Sequence, residues 1–299
     1  MFAPALRARR VLASAVVTLT VLASTGCAAF SDDTDGVGLE DGLQVVAAFY
    51  PLQYLAQRVV GERADVVNLT TPGSEPHDLE IPPRQTAEIA DADVVVHERG
   101  FQPAVDDAIR QNATGEVLDA ASVADLEAKD PHFWQDPLRM AKVGDALADR
   151  LSEVDADHAD EYATNAADLR SDLASLDSEY EQGLADCERT TVVVSHDAFE
   201  YLTKYGLDME PIVGLSPGAE PTPADLARLQ RLIRDEGVTT VFSERLLSPR
   251  LSESLARDAG VTTAVLDPIE GLSDETSSDD YHSLMRANLA ALQKADGCR

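Results

Sequence analysis

Basic residues are scarce in this sequence: 24 Lys and Arg stand against 54 Asp and Glu, a formal charge of −30 over 299 residues. Such a chain does not bind nucleic acid or an anionic membrane face through bulk charge. A solvated, self-repelling surface accounts for the acidity better than an acidic substrate does. Cysteine is rarer still, at three residues, and there is a single tryptophan. The longest apolar run, residues 11–22, is too short for a comfortable membrane span. At 44% hydrophobic the chain can nevertheless fill a full core, and its length allows one or two domains.

What is present begins with Arg7, Arg9 and Arg10, the apolar run, and Ala23-Ser24-Thr25-Gly26-Cys27. A charged start, a short apolar stretch and small residues make a secretory leader over 1–26. The Cys directly after them resembles a bacterial lipoprotein signal, in which Cys27 carries the lipid. Ser24 departs from it, since Leu is more usual there, and an ordinary leader with an incidental Cys is the alternative. Losing the three leader arginines takes the formal charge to −33. Residues 27–41, small and acidic, read as a tether. With Cys27 lipidated, Cys187 and Cys298 remain as an even pair in an oxidising compartment, so a disulfide is expected between them.

Two halves of similar make-up follow. Short Val-rich runs at 43–48, 64–69, 93–97 and 117–118 alternate with helical patterns. After a helical stretch over 137–187, the theme returns at 190–195, 210–215, 238–243 and 261–266. This alternation predicts parallel sheets with helices on their faces: a first α/β lobe at 42–136, a helical region, and a second lobe at 188–299. In such sheets ligands bind beyond the carboxyl ends of the strands. Leu169, Leu173, Leu176, Tyr180 and Leu184 recur at spacings of three and four. They mark one face of a helix over 157–185, about 43 Å long and able to couple both halves. A coiled-coil interface is the alternative for this stretch.

Between the halves lies Asp130-Pro131-His132-Phe133-Trp134-Gln135-Asp136-Pro137. Each proline disfavours the α region for the residue before it, so the segment reads as a stiff turn that holds His132 in place. His77, in the loop after the second strand, and His196, after the first strand of the second half, are expected to meet it where the halves join. Val-rich strands also deliver Glu244 and Asp267 at their ends.

Six stretches in order now carry a resemblance: Phe49-Tyr50-Pro51, Gly73-Ser74-Glu75-Pro76-His77-Asp78, the 130–137 segment, Ser195-His196-Asp197-Ala198-Phe199, Phe242-Ser243-Glu244 and Leu266-Asp267-Pro268. From residue 43 onward the chain resembles the zinc and manganese solute-binding lipoproteins of ABC importers, the TroA-like family. The resemblance implies two α/β lobes joined by a long backbone helix, one metal between them, and His77, His132, His196 and Asp267 as ligands. It also implies delivery to an ABC permease by a monomer anchored through Cys27 to the outer face of the cell membrane. Three imidazoles and one carboxylate suit Zn²⁺ better than an ion that prefers oxygen alone. Manganese-selective relatives usually replace the third His by a carboxylate, whereas His196 stands here. The long His-rich loop of many zinc members is absent from 113–129, and His97-Glu98 stand where relatives usually show Asn-Gly.

Glu244 is either an alternative ligand or a hydrogen-bond acceptor behind one. His97 is either turned to the cleft or a hydrogen-bonded structural residue. Asp78, Asp136 and Asp197 are placed either to orient imidazoles or to cap loops and helices. His158 and His282 are expected at the surface, and Trp134 is expected to pack beside the hinge. A manganese receptor, a surface adhesin and a zinc hydrolase are the rival functions. A hydrolase keeps a coordination position open for water. Four candidate ligands close that shell, no His-Glu-x-x-His sequence is present, and no nucleophile elbow is expected, so catalysis is not.

Overall fold

The computed structural model describes residues 42–126 and 130–299. The leader, Cys27 and the tether lie outside them. Among the described residues no helix is long and apolar enough to cross a membrane.

The first sheet contains β1 (Val45–Ala47), β2 (Val66–Asn68), β3 (Val94–His97) and β4 (Glu116–Asp119), in the order β2-β1-β3-β4. All pairs are parallel, with Val45 opposite both Val66 and Val94 and Val94 opposite Glu116. The central strands β1 and β3 are buried throughout. Valine runs suit that position, because a parallel sheet with helices on its faces leaves no strand face in water. The connections are α1 (Tyr50–Val60), α2 (Pro83–Asp91) and α3 (Pro103–Asn112). Each has a proline in its first turn, where a missing N–H costs nothing, and α1 stops at Gly61 with φ 60°.

The 130–137 segment is a turn as its prolines require. It holds a single 3-10 turn, Phe133–Gln135, before α4 (Pro137–Val154) begins. Asp136 caps α4 by accepting from Leu138 N at 2.9 Å. Helix α5 (Ala159–Leu184) has 26 residues and is about 39 Å long at the usual rise. Its apolar face, Leu169, Leu173, Leu176, Tyr180 and Leu184, is buried within this chain, packed against α1 and α4 on one side and the last helix on the other. The face is thus used internally, not in a coiled coil. Gly144 of α4 allows the close approach, since a Cβ there would stand 3.2 Å from Leu169 Cδ2.

The second sheet repeats the plan with β5 (Thr191–Val194), β6 (Asp208–Pro211), β7 (Thr240–Ser243) and β8 (Thr262–Val265), ordered β6-β5-β7-β8 and all parallel. Helices α6 (Pro223–Asp235), α7 (Arg250–Ala259) and α8 (Tyr281–Asp296) complete it. Beyond His196 the chain forms a 3-10 stretch, Glu200–Tyr205, ended by Gly206 at φ 87°. One apolar core runs from Val45 through Leu169 to Leu292 and so joins both sheets, while a smaller cluster around Val241 and Leu229 lies under α6 and α7. The described residues accordingly form one compact unit. Cys187 and Cys298 are bonded, tying the start of the second half to the end of α8.

Candidate metal centre

Four loops, each beyond the carboxyl end of a parallel strand, converge between the sheets. They follow β2, β4, β5 and β8 and bring His77, His132, His196 and Glu270 together. One donor atom from each lies within 4.8 Å of all the others. Glu270 Oε1 stands 3.3 Å from His77 Nε2, 3.2 Å from His132 Nε2 and 3.4 Å from His196 Nε2. Ligand atoms on a tetrahedral zinc ion, at about 2.0–2.1 Å from the metal, are about 3.3–3.4 Å apart, so these spacings suit such an ion. His132 Nε2 and His196 Nε2 are buried without a hydrogen-bond partner, although the Glu270 oxygen is near enough. That oxygen therefore stands out of line with both of these rings, while His77 Nε2 is placed to hydrogen-bond it at 3.3 Å.

Two of the imidazoles are braced from behind. His132 Nδ1 lies 2.6 Å from Asp130 Oδ1, which also accepts from His132 N, and His196 Nδ1 lies 2.6 Å from Glu244 Oε1. Such bonds fix the ring and direct Nε2 inward. Ser195 Oγ donates to the same Glu244 oxygen. His77 packs edge-on against Phe101, with ring centroids 4.6 Å apart. Its side chain is 14% exposed, whereas His132 and His196 are sealed, and it lines a cavity of about 720 Å³ with Phe101, Pro131 and Leu215.

The electrostatics follow from this packing. Burial alone would raise Glu270, but the three imidazoles crowded around it outweigh burial and hold the carboxyl well below the usual range. Burial alone would lower His132 and His196. Asp130 and Glu270 reverse this for His132, and Glu244 and Glu270 bring His196 up to about 10. Without metal, burial against carboxylates favours a protonated His196 facing an ionised Glu270. A divalent cation takes the place of imidazole protons and meets three neutral nitrogens and one anionic oxygen.

Asp267 was the expected fourth ligand, and the structure places it elsewhere. Its Oδ2 pairs with Arg245 Nε at 3.1 Å, and its Oδ1 accepts from Ile269 N at 2.8 Å. Its backbone N–H donates to Asn288 Oδ1 at 2.9 Å, and its carbonyl accepts from Asn288 Nδ2 at 2.6 Å. Burial pushes its carboxyl up to about 6, against the Ile269 N–H and Arg245. The bond to Ile269 N closes the turn that leads to Glu270. Ile269, between them, has φ 61°, the left-handed region that β-branched residues avoid.

Glu244 sits behind His196 and is not among the grouped donors, and His97 bonds Asp106 through Nδ1 at 3.1 Å as a structural residue. Asp136 caps α4 and pairs with Lys204 at 2.8 Å, so the residue that orients His132 is Asp130. His158 pairs with Asp155 near the surface. His282 is not a surface residue: it is buried at the start of α8, with Nδ1 2.7 Å from the Tyr54 hydroxyl. Trp134 is fully buried against Phe49 and Phe101. Gly214-Leu215-Ser216-Pro217-Gly218 has the spacing of a nucleophile elbow, yet β6 ends at Pro211 and α6 starts at Pro223, so Ser216 is on an exposed loop and not at a strand-to-helix turn.

Comparison with known proteins bears on the family and the fold. The profile of the family described as zinc-uptake complex component A, periplasmic, matches residues 45–295. A zinc-binding lipoprotein of Streptococcus pneumoniae, AdcA, is 32% identical over 302 residues, covering 92% of this chain and 60% of the relative. The chain thus spans about 60% of the length of the curated relatives it first matches. The high-affinity zinc uptake system protein ZnuA of Bacillus subtilis is 30% identical over 298 residues, covering 91% of this chain and 93% of that protein. The crystal structure of the Zn(II)-bound ZnuA-like domain of the pneumococcal AdcA superposes with a TM-score of 0.74 at 33% identity, over 85% of this chain and 99% of that one. Two parallel sheets, a long helix between them and a profile match over most of their length identify this chain as a member of the ZnuA family.

Proposed function

We propose that this chain is an extracytoplasmic solute-binding lipoprotein that captures one Zn²⁺ and delivers it to an ABC permease. His77, His132, His196 and Glu270 hold the ion, and Asp130 and Glu244 orient two of the imidazoles. The observation that carries this reading is the single Glu270 oxygen standing 3.2–3.4 Å from three imidazole Nε2 atoms. Three nitrogens and one oxygen favour Zn²⁺ over Mn²⁺, which suits carboxylate, carbonyl and water ligands. Four protein donors close the shell and leave no position for an attacking water, so the site stores an ion and performs no hydrolysis. The zinc-binding names of the relatives support the same cargo. A lipid on Cys27 and the acidic residues up to 41 tether a monomer to the outer face of the cell membrane.

The test is metal analysis of mature protein purified without added metal, together with zinc uptake in a strain lacking it. About one zinc per chain and an uptake defect restored by the gene are expected. Manganese at equal or greater occupancy, or unimpaired uptake, would sink the proposal.

A further inference from the structure

The Pro268 carbonyl oxygen accepts two hydrogen bonds from one turn of the other half: Trp134 Nε1 donates at 2.7 Å and Gln135 Nε2 at 2.6 Å. Both donors are fully buried. They follow His132 by two and three positions, and Pro268 precedes Glu270 by two. The segment carrying one histidine therefore grips the segment carrying the carboxylate. The grip falls where the backbone is least comfortable, beside Ile269 at φ 61°, a conformation that persists only when its surroundings over-determine it. Asp267 supplies the opposite restraint through the Ile269 N–H. Trp134 is itself fixed, because its carbonyl accepts from the Tyr281 hydroxyl of α8.

We infer that Trp134 and Gln135 are positioning residues for the Glu270 carboxylate: by sharing Pro268 O they hold the strained Ile269 turn and set where Glu270 Oε1 meets the three imidazoles. This rests on the reading of the four donors as a zinc site. If the clamp loosens, Ile269 relaxes toward negative φ and the next side chain swings with it. Removing groups that support metal ligands from behind commonly weakens affinity about 10- to 100-fold, and the same size of loss is expected here.

The experiment places Gln135→Leu and Trp134→Phe each in the wild-type chain and in a Glu270→Gln background. Zinc affinity is measured by competition with a fluorescent chelator, and the melting of metal-free protein is recorded alongside. Each substitution is expected to weaken zinc about 10- to 100-fold in the wild-type chain and less than about threefold once Glu270 has lost its charge. Gln135→Leu leaves the indole packing intact and removes a buried amide oxygen that has no partner, so it carries the test if Trp134→Phe does not fold. An equal loss in both backgrounds, or lower melting with unchanged affinity, would mean that the clamp only joins the halves, and the inference is overturned while the site stands. A wild-type chain that binds no zinc overturns the site and the inference together.

Discussion

His196 and Glu244 come from neighbouring strands of the second sheet, and their Nδ1 and Oε1 atoms meet at 2.6 Å with both side chains buried. The carboxylate fixes the ring and makes Nε2 the better donor. Glu244→Ala is expected to weaken zinc binding about 10- to 100-fold while leaving the stoichiometry at one. Asp130→Ala, which frees His132, is expected to act in the same range. Wild-type affinity in both variants, measured by chelator competition, would remove this role.

Glu270 and Asp267 are three residues apart and make opposite predictions. Glu270→Gln is expected to lose at least about 100-fold in affinity, because it deletes the anionic donor itself. Asp267→Asn keeps a side chain able to accept from Ile269 N–H and is expected to retain one zinc per chain. Calorimetry with the reverse ranking would restore Asp267 as the ligand.

Zinc binding is expected to be strongly pH-dependent. In the metal-free site His196 is raised to about 10 and His132 is also raised, since hydrogen bonds to carboxylates outweigh burial. Zinc requires neutral imidazoles, so binding expels protons and affinity rises with pH from about 5 toward about 10. For the metal-free fold the sign is the reverse. A raised histidine contributes stability fully below its unfolded value of about 6.5, and that contribution is lost as pH climbs through about 10. Chelator competition from pH 5 to 9, corrected for the chelator's own protons, checks the first statement. A flat profile excludes a three-histidine site.

Asp296 closes α8 with a buried carboxyl pushed up to about 7 by desolvation, which Arg189 only partly offsets. The helix C-terminus adds to the cost of a negative charge. The folded chain therefore holds this proton to higher pH than the unfolded chain, and stability is lost as pH rises from about 4 to about 7. Asp296→Asn is expected to be more stable than wild type at pH 8 by about 1–2 kcal/mol, allowing for solvent screening, with no gain near pH 4. Denaturant titrations at the two pH values decide it.

The Cys187–Cys298 bond spans 111 residues of sequence. Cross-linking a loop of about 100 residues stabilises by up to about 4.7 kcal/mol through the entropy of the unfolded chain. A Cys187→Ser, Cys298→Ser double variant is expected to melt lower than the oxidised chain, with zinc affinity preserved because the bond lies far along α8 from the ligand loops. Two free thiols in denatured protein recovered from the cell envelope would show that the bond does not form there.

The sequence by itself determined the alternation of strands and helices, the long coupling helix and three of the four grouped donors. These are local properties. Valine runs name buried strands, spacings of three and four name the α5 face, and Asp-Pro steps on both sides of His132 stiffen the turn around it. His282 was also legible in principle, since it shares the buried stripe of α8 with Met285 and Leu289. The tertiary structure alone decided the fourth donor. Asp267 stands at a strand end in a recognisable motif, but its carboxylate is taken by Arg245 and by the Ile269 N–H. Glu270 points at the imidazoles because Ile269 adopts φ 61° under the hold of Pro268 by Trp134 and Gln135. An isoleucine gives no local sign of that conformation, and hydrogen bonds across more than 130 residues of sequence impose it.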